Sequence, residues 1–574
     1  MKNILFISPT GTLDNGAEIS ITNLMGFLIE EKRYNIFNIY PVSPHPSQVN
    51  YVEKLKDFGV QNIPLATPEW WWMEAPEPSD FEESTKLAFY RENLYQIRKV
   101  IRESDIDLVI TNTVNTFYGA IAAACEGVAH YWLIHEFPNA EFEYYKDKLP
   151  FIIENSDKVF AVRGNLANEL NRLTSTFSSC KMGTFIPYSE IKNHQDFLDE
   201  QGDEIRLISV GKINENKNQL EIIKAYSQLG ISNPLIFIGG WDDEYKKQCD
   251  RFIKEHRLKS VVFMGHKDNP WEHISEKDIA IFSSKMETFG LVYVEAILNG
   301  IPTIVSDNPG FLTVHDFFNV GRLYPLGNLD RLVSTIQQMI ANFDIEKYEL
   351  IKRKSELANQ FTLRTCFKEV IESIDQMAMP SPKSIRALES LFGRFKEDLD
   401  ILQLMNQEVR IFYQYENEGF SINNSMAFCL KNKDILEFQI PQGVKVLRID
   451  LGEVPMIFQN VCLSSFNFKT EILPHSSNGL RYTNGVIFGN SDPQLIYNIA
   501  HFGEKFVLSY EKLNMIEDTG ISFYQELTQK FVDLEAKNKD LSDEIKVVSN
   551  QYRAVIGSKR WTIPTKIINI IRRK

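Results

Sequence analysis

The chain has 574 residues, which is too long for one hydrophobic core and predicts about three or four domains. Its hydrophobic content of 43% and charged content of 24% are ordinary for a globular protein, and the net charge of −14 argues against a general nucleic-acid-binding protein, which would be basic. The six cysteines form no CxxC or other metal-ligand pattern, which favours reduced, buried thiols in a cytoplasmic protein.

The chain opens on a short apolar run, "MKNILFI", which predicts a buried first strand. The run is too short for a secretory signal, and Pro9, Gly11 and Asp14 follow at once. A helix is predicted over residues 18–31. No stretch reaches the roughly 18 uncharged apolar residues of a membrane span, so none is predicted.

Short apolar runs then alternate with amphipathic ones as far as residue 375, for example "DLVITNT", "TFYGAIAAACEG" and "AHYWLIHE". Continuous apolar strands between helices are typical of a parallel sheet covered on both faces. The pattern restarts near Glu204 with "IRLISVG", which predicts two facing doubly wound, Rossmann-like α/β domains. We assign them to residues 1–200 and 201–378 and expect the functional site in the cleft between them.

Residues 379–408 are predicted to form a helical linker, and the pattern changes after them. Runs such as "VRIFYQY", "ILEFQIP" and "KVLRIDLG", separated by Gly, Asn and Pro, predict a β-rich, sandwich-like module over residues 409–515. No catalytic constellation is evident in this module.

Residues 520–556 carry apolar residues at a seven-residue spacing. Asn538 interrupts one of the two apolar series, at an a position where a polar residue fixes register and strand number. The pattern predicts a coiled coil that joins two copies of the chain, and the alternative is a helix packed on its own protein. The series are Tyr524, Phe531, Asn538, Ile545 and Tyr552 at a, and Leu527, Leu534, Leu541, Val548 and Val555 at d.

Residues 557–574 form a basic amphipathic tail, because no acid follows Glu544 while Lys and Arg interleave with Trp561 and several isoleucines. That composition is typical of a segment lying in an anionic membrane interface. A solvated tail and a docking site for another protein are the alternatives.

Two carboxylates stand eight positions apart in "SKMETFGLVYVEAILNGIPTIVSD". Glu287 lies in a loop after a predicted strand, and Glu295 lies on the helix that follows. The N–H groups of Gly290 and Leu291 at the start of that helix favour an anion such as a diphosphate. Glu295 is placed to accept hydrogen bonds from a vicinal diol such as a ribose. In isolation such a pair would be read as a helix cap and a solvated residue.

Two further loops add to this pattern. Lys212 and Lys217 follow the first strand of the second domain, where cations could neutralise the phosphates of a leaving nucleotide. In "SPTGTLDNGAEIS" the glycine Gly16 stands between the first strand and the first helix, where a phosphate or sugar could approach the backbone.

"VGKINENKN" followed by "SKMETFGLVYVEAILNGIPTIVSD" resembles the donor domain of retaining GT-B-fold glycosyltransferases of family 4, also called group 1, of the kind that assembles bacterial polysaccharides. The first loop, "NGAE", is similar to that family's "GGAE" loop, and the resemblance covers residues 1–375. It implies a nucleotide-diphosphate sugar as substrate, no metal and no other cofactor. Asn15 departs from the usual glycine, and Lys212 departs from the commoner arginine, whose planar fork it lacks.

By position, the resemblance implies that Glu287 contacts the donor sugar's hydroxyls and that Glu295 contacts the ribose. The amides of Gly290 and Leu291, with Lys212 and Lys217, would hold the diphosphate, and Gly16 would lie near it from the other domain. His135, at the carboxyl end of a strand, matches the position of an active-site histidine in many relatives; its alternative is a core histidine that binds nothing.

We therefore expect a metal-independent retaining glycosyltransferase at the inner face of the cell membrane. It would move a sugar to a hydroxyl of a glycan acceptor, lipid-linked in our interpretation, in cell-surface polysaccharide synthesis. The alternatives are a non-catalytic GT-B scaffold and a soluble enzyme acting on a protein or small metabolite. The tryptophans Trp70, Trp71 and Trp72 either form an acceptor-binding lid or pin their own loop.

Overall fold

The computed structural model of the chain describes residues 1–76, 81, 83–175, 182–190, 204–267, 269–405, 407–415, 419–466, 471–482, 485–489, 491–513, 518–558, 566–569 and 571–572. It divides into two compact units, residues 1–399 and 400–574.

The first unit contains two parallel sheets, and the first of them has seven strands in the order β3-β2-β1-β4-β5-β6-β7. Helices between consecutive strands make each crossover, so the central strands are buried on both faces. The strands are β1 Lys2–Ile7, β2 Tyr34–Pro41, β3 Gln61–Leu65, β4 Leu108–Asn112, β5 Ala129–Ile134, β6 Lys158–Val162 and β7 Gly183–Phe185. The helices are α1 Gly16–Glu30, α2 Ser47–Phe58, α3 Glu83–Glu103, α4 Tyr118–Glu126, α5 Leu149–Glu154 and α6 Asn165–Thr174, with a 3₁₀ helix at Ala140–Lys148.

The second sheet repeats the same order over six strands, β10-β9-β8-β11-β12-β13. The prediction of two doubly wound α/β domains is confirmed, and the restart near Glu204 coincides with β8. The strands are β8 Arg206–Val210, β9 Leu235–Ile238, β10 Val261–Phe263, β11 Asp278–Phe282, β12 Thr303–Ser306 and β13 Arg322–Tyr324. The helices are α7 Gln219–Leu229, α8 Asp243–Glu255, α9 Leu291–Leu298, α10 Pro309–Phe318, α11 Leu329–Ala341 and α12 Phe343–Gln360, with a 3₁₀ helix at Pro270–His273.

The last helices of the predicted second domain pack against the first sheet. The helices α13 Leu363–Cys366 and α14 Lys368–Asp375 follow α12. The Glu369 carboxylate accepts hydrogen bonds from the backbone and hydroxyl of Thr184 in β7, at 2.8 and 2.7 Å. The rings of Phe367 and Phe185 stack 5.5 Å apart. Residues 363–375 therefore belong by packing to the first sheet, which sequence periodicity does not reveal.

The predicted linker is bound to the first sheet's helices over much of its length. It contains a 3₁₀ helix, Ser384–Phe392, and the helix α15 Lys396–Met405. Arg98 of α3 donates to Glu389 at 2.5 Å and to Glu126 at 2.6 Å. Lys383 donates to Asp157 at 2.9 Å.

The second unit contains the predicted antiparallel β module. Two sheets, in the orders β15-β14-β17-β23-β20 and β16-β24-β18-β22-β21, contribute buried side chains to one shared core, as in a sandwich. Their strands are β14 Glu408–Gln414, β15 Ser425–Cys429, β16 Lys433–Gln439, β17 Val446–Leu451, β18 Met456–Ser465, β19 Glu471–Ile472, β20 Ser476–Ser477, β21 Leu480–Tyr482, β22 Gly485–Phe488, β23 Gln494–Asn498 and β24 Lys505–Lys512, with a 3₁₀ helix at Ile422–Asn424.

A single helix, α16 Asp518–Gly557, covers the predicted coiled-coil segment. Its apolar heptad side chains from Leu527 to Val555 lie exposed. Their exposed fraction ranges from 42% for Leu527 to 67% for Ile545. Most of the predicted basic tail, including Trp561, lies outside the described residues. None of the described helices combines the length and apolarity needed to cross a bilayer.

Candidate active site

A cavity of about 470 Å³ lies in the first unit and is lined from both parallel-sheet domains. The carboxyl ends of β1, β4 and β5 contribute one wall, and the loop into α9 with the loop before α7 contributes the other. This is where an open α/β sheet places its ligands. The lining residues are Pro9, Thr10, Asn15, Gly16, Ala17, Thr113, Asn115, His135, Glu136, Phe142, Pro187, Lys217, Glu287, Thr288, Phe289, Gly290, Leu291 and Val292.

The start of α9 faces this cavity. Gly290 precedes the helix in a left-handed conformation with φ +93°, and a Cβ at this position would lie 2.5 Å from the Phe311 ring. Only glycine fits both constraints. Because Gly290 has no side chain to cap the helix, the N–H groups of its first turn are available to an anion in the cavity.

Glu287 and Lys217 form an ion pair at the cavity wall. Their loops are joined by Asn216, whose amide donates to the Met286 carbonyl at 3.0 Å and accepts from the Met286 N–H at 3.1 Å. The Lys285 N–H also donates to the Asn216 carbonyl at 2.7 Å. These bonds fix the two charged side chains relative to each other. Sequence reasoning missed Asn216, because nothing in the sequence pairs it with residue 286.

Lys212 and Glu295 do not line the cavity. Lys212 is largely exposed and its Nζ lies 2.7 Å from an Asp242 carboxylate oxygen. The Glu295 carboxylate accepts hydrogen bonds from the Ser189 hydroxyl at 2.8 Å and the Trp271 indole at 3.0 Å. Burial raises the pKa of Glu295, and these two bonds oppose the rise. Their assigned contacts with the diphosphate and the ribose remain predictions.

The start of α1 meets α9 across the cavity. A Cβ at Gly16 would lie 3.1 Å from the Leu291 side chain, so the starts of the two helices approach each other closely here. Asn15 is the N-cap of α1, and its side chain accepts from the Glu18 N–H at 2.9 Å. The departure from the family's glycine at this position therefore supplies a helix cap.

The buried Glu18 supports the loop that precedes α1. Its carboxylate accepts from the backbone N–H groups of Gly11 at 3.2 Å and Thr10 at 3.5 Å. Burial raises the pKa of Glu18 to about 7, against the lowering effect of these bonds.

His135 is buried and lines the cavity at the end of β5. Its Nε2 lies 2.8 Å from the Asn112 side-chain oxygen, which is oriented because the Asn112 amide nitrogen donates to the Ala17 carbonyl at 3.3 Å. Nε2 therefore carries the proton and Nδ1 is an acceptor. Burial lowers the pKa of His135 to about 3, so the ring is neutral at physiological pH.

Sequence reasoning also missed Glu136 and Thr113. The Glu136 carboxylate lines the cavity and accepts from the N–H groups of His135 at 3.1 Å and Val114 at 3.2 Å. Burial raises the pKa of Glu136 to about 7. Thr113 adopts φ +69°, which is strained for a β-branched residue. The position of Glu136 directly after His135 was the signal that could have identified it.

The tryptophan loop is pinned to its own domain. The Trp70 indole donates to the Ser8 carbonyl at 3.2 Å, and the Trp72 indole donates to the Val114 carbonyl at 2.9 Å. Trp70 also stacks on Tyr118 at 5.0 Å. None of the three tryptophans lines the cavity, so the geometry favours the pinned loop over a lid.

Comparison with known proteins connects this site to a family. Residues 190–356 match the family described as glycosyl transferases group 1. The chain is 23% identical over 230 residues to N-acetyl-alpha-D-glucosaminyl L-malate synthase of Bacillus anthracis, which covers 37% of this chain and 57% of that protein. It is 23% identical over 151 residues to N-acetylgalactosamine-N,N'-diacetylbacillosaminyl-diphospho-undecaprenol 4-alpha-N-acetylgalactosaminyltransferase of Campylobacter jejuni subsp. jejuni serotype O:2, which covers 26% of this chain and 41% of that protein. The chain thus spans about half the length of these relatives.

Solved structures share the fold of the first unit. A glycosyltransferase from Rickettsia africae aligns with a TM-score of 0.54 and 15% identity, over 65% of this chain and 98% of that protein. HepE of Anabaena, in complex with UDP and glucose, aligns with a TM-score of 0.51 and 15% identity, over 66% of this chain and 100% of that protein. The family match, the relatives and the shared fold together confirm the resemblance of this chain to group 1 glycosyltransferases of the GT-B fold.

Proposed function

We propose that this protein is a retaining glycosyltransferase that transfers a sugar from a nucleotide-diphosphate sugar to a hydroxyl of a glycan acceptor. The observation that carries the proposal is the cavity in which Gly16, His135, Lys217, Glu287 and the start of α9 meet. A nucleotide sugar needs a cation and free N–H groups for its phosphates and a carboxylate for its hydroxyls, and this cavity offers all three.

In this proposal the leaving group is a nucleoside diphosphate, and negative charge builds on its oxygens as the glycosidic bond breaks. Lys217 and the N–H groups at Gly290 and Leu291 would stabilise that charge without a metal ion. Glu287 would then exchange part of its ion pair with Lys217 for the donor sugar's hydroxyls. For its assigned role Lys212 would have to break its ion pair with Asp242. Glu295 would have to give up its hydrogen bond with Ser189 or with Trp271.

The neutral His135 supports a hydrogen-bonding role. With its Nε2 proton bound to Asn112, the ring can use Nδ1, which has no hydrogen bond to any described residue, as an acceptor for a sugar hydroxyl. It would not supply a positive charge at neutral pH, since burial lowers its pKa to about 3. In the retaining mechanism we propose, the acceptor hydroxyl attacks on the face from which the diphosphate leaves, and the leaving phosphate accepts the hydroxyl proton.

We further propose a lipid-linked acceptor and a place in cell-surface polysaccharide synthesis. The Campylobacter relative is named for an acceptor carried on diphospho-undecaprenol, and another relative, of Bacillus subtilis, is named a poly(glycerol-phosphate) alpha-glucosyltransferase. In this proposal the basic tail of residues 557–574 contacts an anionic membrane on its cytoplasmic face, and α16 pairs with α16 of a second copy.

A donor-hydrolysis screen tests the proposal. The full-length chain is incubated with individual nucleotide sugars in the presence of EDTA, and release of nucleoside diphosphate is measured. We expect turnover of one donor and a loss of about 100-fold or more in Glu287→Gln and in Lys217→Gln, because each removes a charge from the cavity wall.

The matched controls are Glu244→Gln and Lys247→Gln, which break an exposed ion pair on α8 of the same domain. They should keep wild-type turnover. Absence of turnover and of nucleotide binding for every donor would contradict the proposal and favour the non-catalytic scaffold. Activity that requires a divalent ion would contradict the metal-independent mechanism.

A further inference from the structure

The β module of the second unit contains a cavity of its own, of about 720 Å³. Both sheets line it: β23 contributes from one sheet, and β18, β19, β21, β22 and β24 contribute from the other. Its volume is in the range of roughly 300–1,000 Å³ that is usual for small-molecule sites. Val486, Leu495 and Tyr497 are the buried part of its lining, and the charged residues Glu471 and Arg481 are exposed to solvent at its edge.

Tyr497 is the first indication of a ligand. Its side chain is 1% exposed and belongs to the core, yet its ring also lines the cavity. No hydrogen-bond partner for its hydroxyl exists among the residues that the structure describes. The hydroxyl can therefore donate to and accept from a ligand in the cavity.

The backbone around the cavity is also shaped for access. The pairing of β18 with β24 shifts register between Gln459 and Cys462, and Asn460 in this bulge adopts φ +52°. Bulges turn side chains out of the ladder and are frequent beside binding sites. A Cβ at Gly485 would lie 2.1 Å from the Phe458 carbonyl oxygen and 2.7 Å from the Tyr482 hydroxyl, so glycine is needed for the close approach of β22 to both.

Two opposite charges complete the lining. Arg481 and Glu471 both face the cavity, and neither forms an ion pair within the described part of the chain. Both line the same cavity as Tyr497. The cavity thus combines guanidinium donors, carboxylate acceptors, and hydroxyl or amide groups that do both. A saccharide matches this mixture because each of its hydroxyls both donates and accepts, whereas an apolar ligand would leave these groups unpaired.

We propose that this cavity is a second, non-catalytic saccharide site, which holds a segment of the glycan on which the enzyme acts. Arg481, Glu471 and Tyr497 supply its polar contacts, and Tyr482 supplies an aromatic ring beside them. The choice of a glycan segment rests on the proposed function, since a transferase that extends or decorates a polymer meets that polymer at high local concentration. A second site on the same chain raises the effective concentration of acceptor at the first.

Binding of the full-length chain to a printed array of neutral and acidic bacterial oligosaccharides tests the proposal, with affinities for the best probe then measured by titration. We expect Arg481→Gln and Tyr497→Phe each to weaken binding by tenfold or more. The matched control is Lys433→Gln, an exposed cation of the same module that does not line the cavity. Melting temperatures verify that the variants fold.

Failure of the wild-type chain to bind any oligosaccharide overturns the inference, as does binding that Arg481→Gln and Tyr497→Phe leave unchanged. Binding that is abolished only by Glu287→Gln would place the glycan in the first unit and would also overturn it. Donor turnover measured on the same variants keeps the two proposals apart. If Arg481→Gln loses glycan binding while donor hydrolysis is absent even in the wild type, the second site stands and the proposed catalytic function fails.

Discussion

Asn216 has a positioning role that follows from its contacts alone. It does not line the cavity, yet its side-chain amide makes two of the hydrogen bonds that join the Lys217 loop to the Glu287 loop. If these bonds set the distance between the two charges, the loss of Asn216 will affect catalysis more than stability.

We therefore predict that Asn216→Ala lowers kcat about tenfold, because a small misplacement of catalytic groups has effects of that size or larger. The cost in stability should stay near 1 kcal/mol, since each exposed hydrogen bond contributes little. Asn216→Asp keeps the acceptor for the Met286 N–H and should retain more activity than Asn216→Ala. Steady-state kinetics and thermal melts check this, and a drop in melting temperature without loss of kcat would contradict the positioning role.

Glu18 makes a pH-dependent contribution to stability. Burial raises its pKa in the folded chain to about 7 from the ordinary value of 4.5, so the folded state favours the protonated carboxyl. This contribution is fully present below pH 4.5 and is lost as the pH rises through about 7.

We predict that Glu18→Gln, which stays neutral, becomes more stable relative to wild type as the pH rises from 5 to 8. The difference in melting temperature between the two proteins is the quantity to measure, because the contributions of His135 and Glu136 cancel in it. A difference that does not change with pH would show that Glu18 titrates normally in the folded chain.

Among the elements, the starts of α1 and α9 lie at the cavity. Each helix begins after a residue whose type suits the backbone conformation at that position. Asn15 caps α1 and Gly290 occupies the left-handed turn before α9. The first feature satisfies an N–H group, while the second leaves N–H groups available. The two helix starts therefore differ in what they offer a ligand, and the start of α9 is the better suited to an anion such as the diphosphate of the proposed donor.

The helix α16 carries the prediction of self-association. The a and d side chains whose burial is described are exposed. A continuous row of exposed apolar side chains at heptad spacing is typical of a helix that pairs with another helix. We predict that the full-length chain is a dimer and that Leu534→Lys combined with Leu541→Lys yields monomers, because two charges at d positions cannot be buried together. Light scattering after size-exclusion chromatography gives the mass.

Lys539→Gln is the control for this experiment, since it changes a charge on the same helix outside the heptad stripe. It should remain dimeric. A wild-type chain that is monomeric at micromolar concentration would contradict the coiled-coil prediction.

At the scale of the whole molecule, the chain combines a transferase-like first unit with a β module, a long helix and a basic tail. We predict that the full-length chain sediments with vesicles containing anionic lipid, and that a chain ending at Asn550 does not, because each Lys or Arg near such a surface contributes about 1 kcal/mol. Binding should weaken as salt is added. If both chains sediment equally, the tail is not the membrane contact.

The sequence by itself determined the two α/β domains, the β module and the family resemblance. Alternating apolar runs, the loop "NGAE" and the segment from Ser284 to Asp307 are local patterns. They can be recognised in the sequence because the periods of helices and strands repeat within a short window of residues. It also singled out Gly16, His135, Lys217, Glu287, Gly290 and Leu291, all of which line one cavity.

Only the tertiary structure decided which partner each side chain has. It pairs Lys212 with Asp242 and Glu295 with Ser189, adds Glu136 and Asn216 to the site, and returns residues 363–375 to the first sheet. These contacts join residues far apart in the chain, and their energies depend on packing that no short window of sequence contains. The periodicity of a segment fixes which face is buried, whereas the fold as a whole fixes what that face meets.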